Sequence, residues 1–199
     1  MQKEPLTVIF YGVSGSGKGT QAQLLREYLE GRGKGSVLYI ETGDRLRKFI
    51  KSDGHTQELT KKIMNEGGLL PSFLPIHVWT IAFIEEFTGK EHLIMDGLAR
   101  REYEAPTLDS ALWFYGRGNY HIIEFTLSYE DARARLLERE RGDDVTNQDA
   151  IRRKFEWYEE TVRPAIEYFE KSGRPVHKID AAPGIEHIHK EVLEKLGLT

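Results

Sequence analysis

Gly12-Val13-Ser14-Gly15-Ser16-Gly17-Lys18-Gly19-Thr20-Gln21 follows the apolar run Val8-Ile9-Phe10-Tyr11 and precedes an amphipathic stretch from Gln21 to Glu30. Strand, glycine-rich turn and helix in that order are the setting in which a phosphate-binding loop is built. The spacing from Gly12 to Gly17-Lys18 matches G-x-x-x-x-G-K, with Gly19 standing between the lysine and the hydroxyl of Thr20. Glycines let the backbone wrap a polyphosphate with several N–H groups pointing inward, and the start of the next helix adds positive potential. Lys18 is placed to reach the outer phosphates and Thr20 to meet Mg²⁺. A flexible Gly/Ser turn would need neither the lysine nor the flanking strand and helix. The stretch predicts a nucleoside triphosphate site at Gly15, Ser16, Gly17, Lys18, Gly19 and Thr20.

Working outward, further apolar runs suited to buried parallel strands are Ser36–Ile40, His92–Met95, Tyr120–Leu127 and Pro175–Ile179, after a first at Leu6–Tyr11. Helical patterns lie between them: Thr20–Glu30, Arg45–Ile50, Thr56–Asn65, Phe73–Phe87, Ala105–Phe114, Glu130–Glu140, Asn147–Lys171 and Ile185–Leu196. The alternation predicts an α/β three-layer sandwich on a five-stranded parallel sheet. Two pieces interrupt the rhythm, a helical insert over 42–70 and a short charged segment over 138–144. Neither has the apolar content for a core of its own, so both ride on a single domain of 199 residues. Trp79, Trp113 and Trp157 fall in helical segments and are expected in the core or at its edge.

Composition excludes several classes. A net charge of −4 gives no basic field for nucleic acid or an anionic membrane. The absence of cysteine removes disulfides and a cysteine-based zinc site, and agrees with a reducing interior. No apolar run is long enough to span a bilayer, and Met1-Gln2-Lys3-Glu4-Pro5 does not read as a signal peptide. The expectation is a cytoplasmic monomer whose partners are small molecules. His187 and His189, two residues apart, point two ways on a helix and read as surface rather than metal ligands.

Three more motifs narrow the chemistry. Thr42-Gly43-Asp44-Arg45-Leu46-Arg47 leaves the second strand and could grip a monophosphate; a helix-capping Thr or Asp with solvated arginines is the plainer account. Leu93-Ile94-Met95-Asp96 closes an apolar strand with a carboxylate placed to hold Mg²⁺ waters. The segment continues Gly97-Leu98-Ala99-Arg100, which sets Arg100 toward the crevice beyond the strand ends. Arg135, Arg139 and Arg141, then Arg152, Arg153 and Lys154, form a cation cluster. Phosphoryl transfer needs positive donors around the moving group and exclusion of water. A solvated face paired with Glu138, Glu140, Asp143 and Asp144 would show the same pattern.

With these residues in view the chain resembles the nucleoside monophosphate kinases, the adenylate kinases most closely. The resemblance rests on Gly12–Gln21, Thr42–Arg47, Gly68 to Pro71, Asp96–Arg100, the pair Asp143-Asp144 and the helix through Trp157-Tyr158. It implies a P-loop NTPase fold with an NMP-binding insert over 42–70 and a short lid over 138–144. It implies transfer of the γ-phosphoryl group of ATP to a nucleoside monophosphate, with Mg²⁺ and without zinc. Thr42, Arg47, Gly68, Leu70, Gly97 and Arg100 would line the monophosphate site. Arg139 would flank the ATP base, Arg141 and Lys154 would clamp the moving phosphoryl group, and Asp96 with Thr20 would hold Mg²⁺, mostly through water. Lys18, Arg100, Arg139, Arg141 and Lys154 form the implied catalytic set.

Four positions depart from the family pattern. Ser14 and Ala99 stand where the family has Pro, so a cis X-Pro bond is not expected at Ala99. Lys154 stands for Arg and lacks its planar fork. Glu104 stands where adenylate kinases place the Gln that reads adenine. An ionised carboxylate accepts from the adenine amine but repels N1, whereas guanine offers two donors. Thr42-Gly43 nevertheless resembles the adenylate form of its motif, so AMP remains the first expectation, and GMP or another monophosphate the alternative. A GTPase-like switch would need an Asn-Lys-x-Asp signature, which the sequence lacks; a silent nucleotide-binding module is the remaining rival.

Overall fold

The computed structural model describes residues 4–66, 68–138 and 148–199. Five strands form one parallel sheet: β1 Thr7–Gly12, β2 Val37–Glu41, β3 His92–Asp96, β4 His121–Thr126 and β5 Val176–Asp180. Their order across the sheet is β2-β3-β1-β4-β5. All four pairings are parallel, with Phe10 opposite Asp96 and Tyr11 opposite Glu124. All five expected runs are therefore strands. From β1 the chain runs to the edge strand β2 and then returns through β3, past β1, to β4 and β5. The connections leaving β1 and β4 thus run toward opposite edges, and the carboxyl ends of β1, β2 and β3 open onto a common crevice, where ligands bind in sheets of this kind.

Helices cover both faces. Val8, Phe10, Ile94, Ile123 and Ile179 pack against α1 (Lys18–Gly31) and α9 (Ile185–Lys195). Ile9, Tyr11, Met95 and Ile122 pack against α4 (Phe73–Glu86), α5 (Ala105–Phe114) and α8 (Arg163–Lys171). Alternate residues of each strand serve opposite faces, as the two-residue period of a strand requires. The insert comprises α2 (Thr42–Phe49) and α3 (His55–Asn65). Thr42 is the first residue of α2, so that helix begins three residues earlier than the pattern from Arg45 predicts. α6 (Tyr129–Leu137) is capped by Ser128, whose hydroxyl accepts from the Asp131 amide.

Two expectations change. The long helix predicted over Asn147–Lys171 is α7 (Gln148–Trp157), a π-helical turn Tyr158–Val162 and α8. Pro164 explains the break: it has no N–H to return to the Glu160 carbonyl, and its ring crowds that carbonyl. The Arg163 amide instead reaches back five residues to the Tyr158 carbonyl. Trp113, expected in or beside the core, is 61% exposed. Its indole carries the Arg174 guanidinium at 5.3 Å, a cation–π contact that satisfies it at the surface. Trp79 is buried as expected. Among the described residues no helix is long and apolar enough to cross a membrane.

Candidate active site

The phosphate loop leaves β1 through Gly12, whose φ of 154° and surroundings both demand glycine: a Cβ there would sit 2.6 Å from Ser16 Oγ and 2.8 Å from the Phe125 carbonyl. Gly15 (φ 89°) leaves the same margin against the Ala132 carbonyl, 2.9 Å away. The Ser16 amide closes the turn onto the Val13 carbonyl at 3.2 Å. α1 then starts from Gly17 in the left-handed region, with no side chain capping it. First-turn amides without a side-chain cap are donors available to an anion. Lys18 folds back over the loop, donating to the carbonyls of Gly12 at 2.8 Å and Val13 at 3.0 Å. The Ser16 hydroxyl is buried with no hydrogen-bond partner among the described residues.

Asp96 ends β3 directly beside this loop and is 5% exposed. Burial pushes its carboxyl above the ordinary range, while the positive charges of Lys18 and Arg100 pull the other way. Tyr39 donates its hydroxyl to Asp96 Oδ2 at 3.3 Å, and burial with that carboxylate drives the phenol well above its usual value. Gly19 faces Asp96: a Cβ at Gly19 would lie 3.9 Å from Oδ2. Thr20 is exposed at the same helix start. A buried carboxylate and an exposed hydroxyl are hard oxygen donors, and the glycine between them leaves room for water, so this set fits Mg²⁺.

Of the residues expected to line the monophosphate site, Thr42 is buried and its Oγ1 is without a hydrogen-bond partner among the described residues. Arg47 donates to Glu41 Oε1 at 2.9 Å across the start of α2. The Arg45 guanidinium is committed elsewhere, forked onto Glu86 at 2.6 and 2.8 Å. Gly68 terminates α3, its amide on the Ile63 carbonyl at 2.7 Å, and Leu70 is half-buried after it. Gly97 has φ 65°, and a Cβ there would collide with the Arg100 guanidinium, whose Nε donates to the Gly97 carbonyl at 2.9 Å. Arg100 is otherwise exposed at the mouth. Ala99 has φ 49°, a left-handed conformation that the proline ring cannot adopt.

Glu104 is 2% exposed in a short 3₁₀ turn, Glu102–Glu104. Its carboxylate accepts a short hydrogen bond from Ser72 Oγ, and its Oε2 accepts from the Arg101 amide at 3.4 Å. Arg101 Nη1 donates to the same Ser72 hydroxyl at 2.9 Å, so serine bridges cation and carboxylate. Lys154, half-buried on α7, lines a small cleft with Val13 and Ser14 of the phosphate loop. Two other members of the expected cation cluster are engaged elsewhere. Arg152 pairs with Asp149 and Glu156 along its own helix, and Arg135 donates to the Ala182 carbonyl. Arg139 and Arg141, with nearly all of the expected lid, lie outside the described residues.

Sequence reasoning missed Tyr39, Ser72 and Arg101. Tyr39 carried a signal, since strand alternation puts it on one face with Glu41 beside Asp96. Ser72 and Arg101 carried none, because they meet only in three dimensions.

The family described as adenylate kinase matches residues 10–174. Adenylate kinase 1 of Synechocystis sp. is 34% identical over 193 residues, 95% of either chain. UMP-CMP kinase 3 of Arabidopsis thaliana is 30% identical over 190 residues, 96% of this chain and 88% of the relative. Adenylate kinase 1 of Nostoc sp. is 32% identical over 162 residues, 81% of this chain and 83% of the relative. The chain belongs to the adenylate kinase family and is a nucleoside monophosphate kinase.

Proposed function

We propose that this member of the adenylate kinase family moves the γ-phosphoryl group of ATP to AMP, giving two ADP. The observation that carries the reading is the meeting of Lys18, Asp96 and Arg100 at the ends of β1 and β3. A buried hydroxyl without a hydrogen-bond partner among the described residues, Thr42 Oγ1, sits at the end of β2 next to β3. Two cations acting on one carboxylate suit an in-line transfer of a negatively charged phosphoryl group, which is governed by positioning and electrostatics.

The backbone of Gly15 to Thr20 holds the ATP phosphates, with Lys18 exchanging its Gly12 and Val13 carbonyls for phosphate oxygens. Thr42, Arg47, Gly68, Leu70, Gly97 and Arg100 hold the monophosphate, and Lys154 approaches the moving group from α7. Arg139 and Arg141 supply charge from the lid over 138–144. Asp96 and Thr20 would hold Mg²⁺, mostly through water, and the ion would neutralise phosphate charge when bound. The acceptor's own phosphate oxygen attacks, so no side chain forms a covalent bond.

AMP is the acceptor of choice because Thr42-Gly43 opens the insert as adenylate kinases do and because adenylate kinases are among the similar proteins. One observation favours a second reading. Glu104 is a buried acceptor already tied to Ser72 and Arg101, and its carboxylate suits a base that offers N–H donors, as guanine does. Initial rates with AMP, GMP, CMP and UMP at equal concentrations with MgATP test both. AMP ahead supports the first reading and GMP ahead the second. CMP or UMP ahead sinks both, and transfer to none of them overturns the kinase assignment.

A further inference from the structure

Behind α7 lies a group of ionisable side chains that nucleotide binding does not use. Glu124, on β4, is 1% exposed and Tyr158 is 6% exposed. Tyr158 Oη donates to Glu124 Oε1 at 2.9 Å, and Arg163 Nη1 donates to the same oxygen at 3.3 Å. Arg163 is in turn forked onto Glu159 at 2.6 and 3.0 Å. A buried carboxylate in a sheet is expensive, and an apolar residue of the same volume would be as stable or more so. What such a network gives is a fixed geometry.

The π turn makes that geometry possible. Tyr158 and Arg163 are five residues apart. On an α-helix they would point about 140° away from each other; at the wider spacing of a π turn the angle falls to roughly 50°. Only then do both reach Glu124. Upstream, Lys154 is four residues before Tyr158, one turn along the same face. Glu124 itself lies opposite Tyr11 in the sheet, and Tyr11 bonds the carbonyl of Ala99 at 3.1 Å. The network therefore fastens the end of α7 to the strand layer that carries the phosphate loop and the Asp96–Arg100 turn.

We propose that Glu124, Tyr158 and Arg163 are positioning residues: through the π turn they fix the rotation of α7 and so set the direction from which Lys154, a residue lining the cleft with Val13 and Ser14, reaches the phosphate loop. The proposal rests on the role assigned to Lys154 above. None of the three touches substrate. They act on turnover through Lys154.

The test is a double-mutant cycle on the full chain, using Tyr158→Phe, which removes one hydroxyl, with and without Lys154→Met. MgATP and AMP are the substrates, or whichever monophosphate proves the best acceptor. Tyr158→Phe alone is expected to lower kcat about tenfold while KM for both nucleotides stays within about twofold. In the Lys154→Met background the same change is expected to alter kcat less than about twofold. Equal losses in both backgrounds would overturn the proposal while leaving Lys154 a catalytic residue. A Lys154→Met enzyme as fast as the unsubstituted one would remove both the proposal and the role given to Lys154. Should Tyr158→Phe fail to fold, Arg163→Gln, at the half-exposed end of the network, runs the same cycle with the same expectations.

Discussion

Lys18 donates to the carbonyl oxygen of Gly12 at 2.8 Å, six residues back along the chain, and so closes the phosphate loop on itself. A loop held by its own lysine keeps its shape without ligand, and phosphate oxygens need only take over existing bonds. Lys18→Met removes the latch and, on the proposed mechanism, a donor to the transferring group. Turnover is expected to fall by about 10²-fold or more, with a smaller loss of thermal stability. A variant that transfers phosphate at the ordinary rate would refute the assignment of Lys18.

Asp96 gives a prediction of opposite sign for stability. Burial raises its pKa in the folded state above that of the unfolded chain, despite Lys18 and Arg100. An acid with a raised folded pKa costs stability where it is ionised; the cost shrinks as pH falls below the folded value and is gone below the unfolded one. Asp96→Asn is therefore expected to raise the urea midpoint at pH 7, to lose that advantage on acidification, and to lower Mg²⁺-dependent turnover by about 10²-fold. Urea titrations at pH 7 and pH 4 with parallel rate measurements read all three. A lower midpoint at pH 7 would mean that the pairing with Lys18 and Arg100 outweighs burial.

How much of this could be read in advance divides along a physical line. Strands buried on both faces are apolar runs, so β1 to β5 stood out, and the glycine spacing before Lys18 is itself a backbone requirement. The Thr42–Arg47 and Asp96–Arg100 motifs were legible for the same reason, because each is a short stretch at a strand end. Residues that meet across elements were not. Ser72 and Glu104 are 32 residues apart, Tyr158 and Glu124 34, and neither contact has a period or spacing to betray it. The π turn was hidden because Pro164 in a helical pattern says that hydrogen bonding must change without saying how.

Ala99 offers a direct test of backbone conformation. At φ 49° an alanine carries left-handed strain of about 1 kcal/mol, and glycine would relieve it. Ala99 is also 2% exposed, so losing its methyl group works against that relief, and Ala99→Gly should stay within about 1 kcal/mol of the original stability. Ala99→Pro, which restores the residue usual in the family, forces φ near −65° and should destabilise by about 3 kcal/mol. Thermal denaturation of the two variants checks this. A proline variant as stable as the alanine chain would show that the turn has a second accessible conformation.

The paired histidines of β4 and β5 predict how the sheet responds to acid. His121 Nδ1 and His177 Nε2 are 3.2 Å apart with their rings stacked, near Lys195 of α9. Burial lowers both pKa values below the ordinary 6.5; the facing ring adds to this at His121, and Lys195 does at His177. A base with a depressed folded pKa binds its proton more readily when unfolded. Stability is thus complete above about pH 6.5 and falls as pH drops below it, by no more than about 1.4 kcal/mol per pH unit for each ring. Half-exposed rings will show less than that limit, because water screens the charge. His189, also lowered by burial, adds to the slope in the same direction. Urea midpoints between pH 8 and pH 5 should therefore be flat and then decline. His177→Gln should shallow the decline while leaving the kinase activity at pH 8 unchanged, since both rings lie at the opposite end of the strands from the phosphate loop. An unchanged slope in that variant would assign the acid sensitivity to other groups.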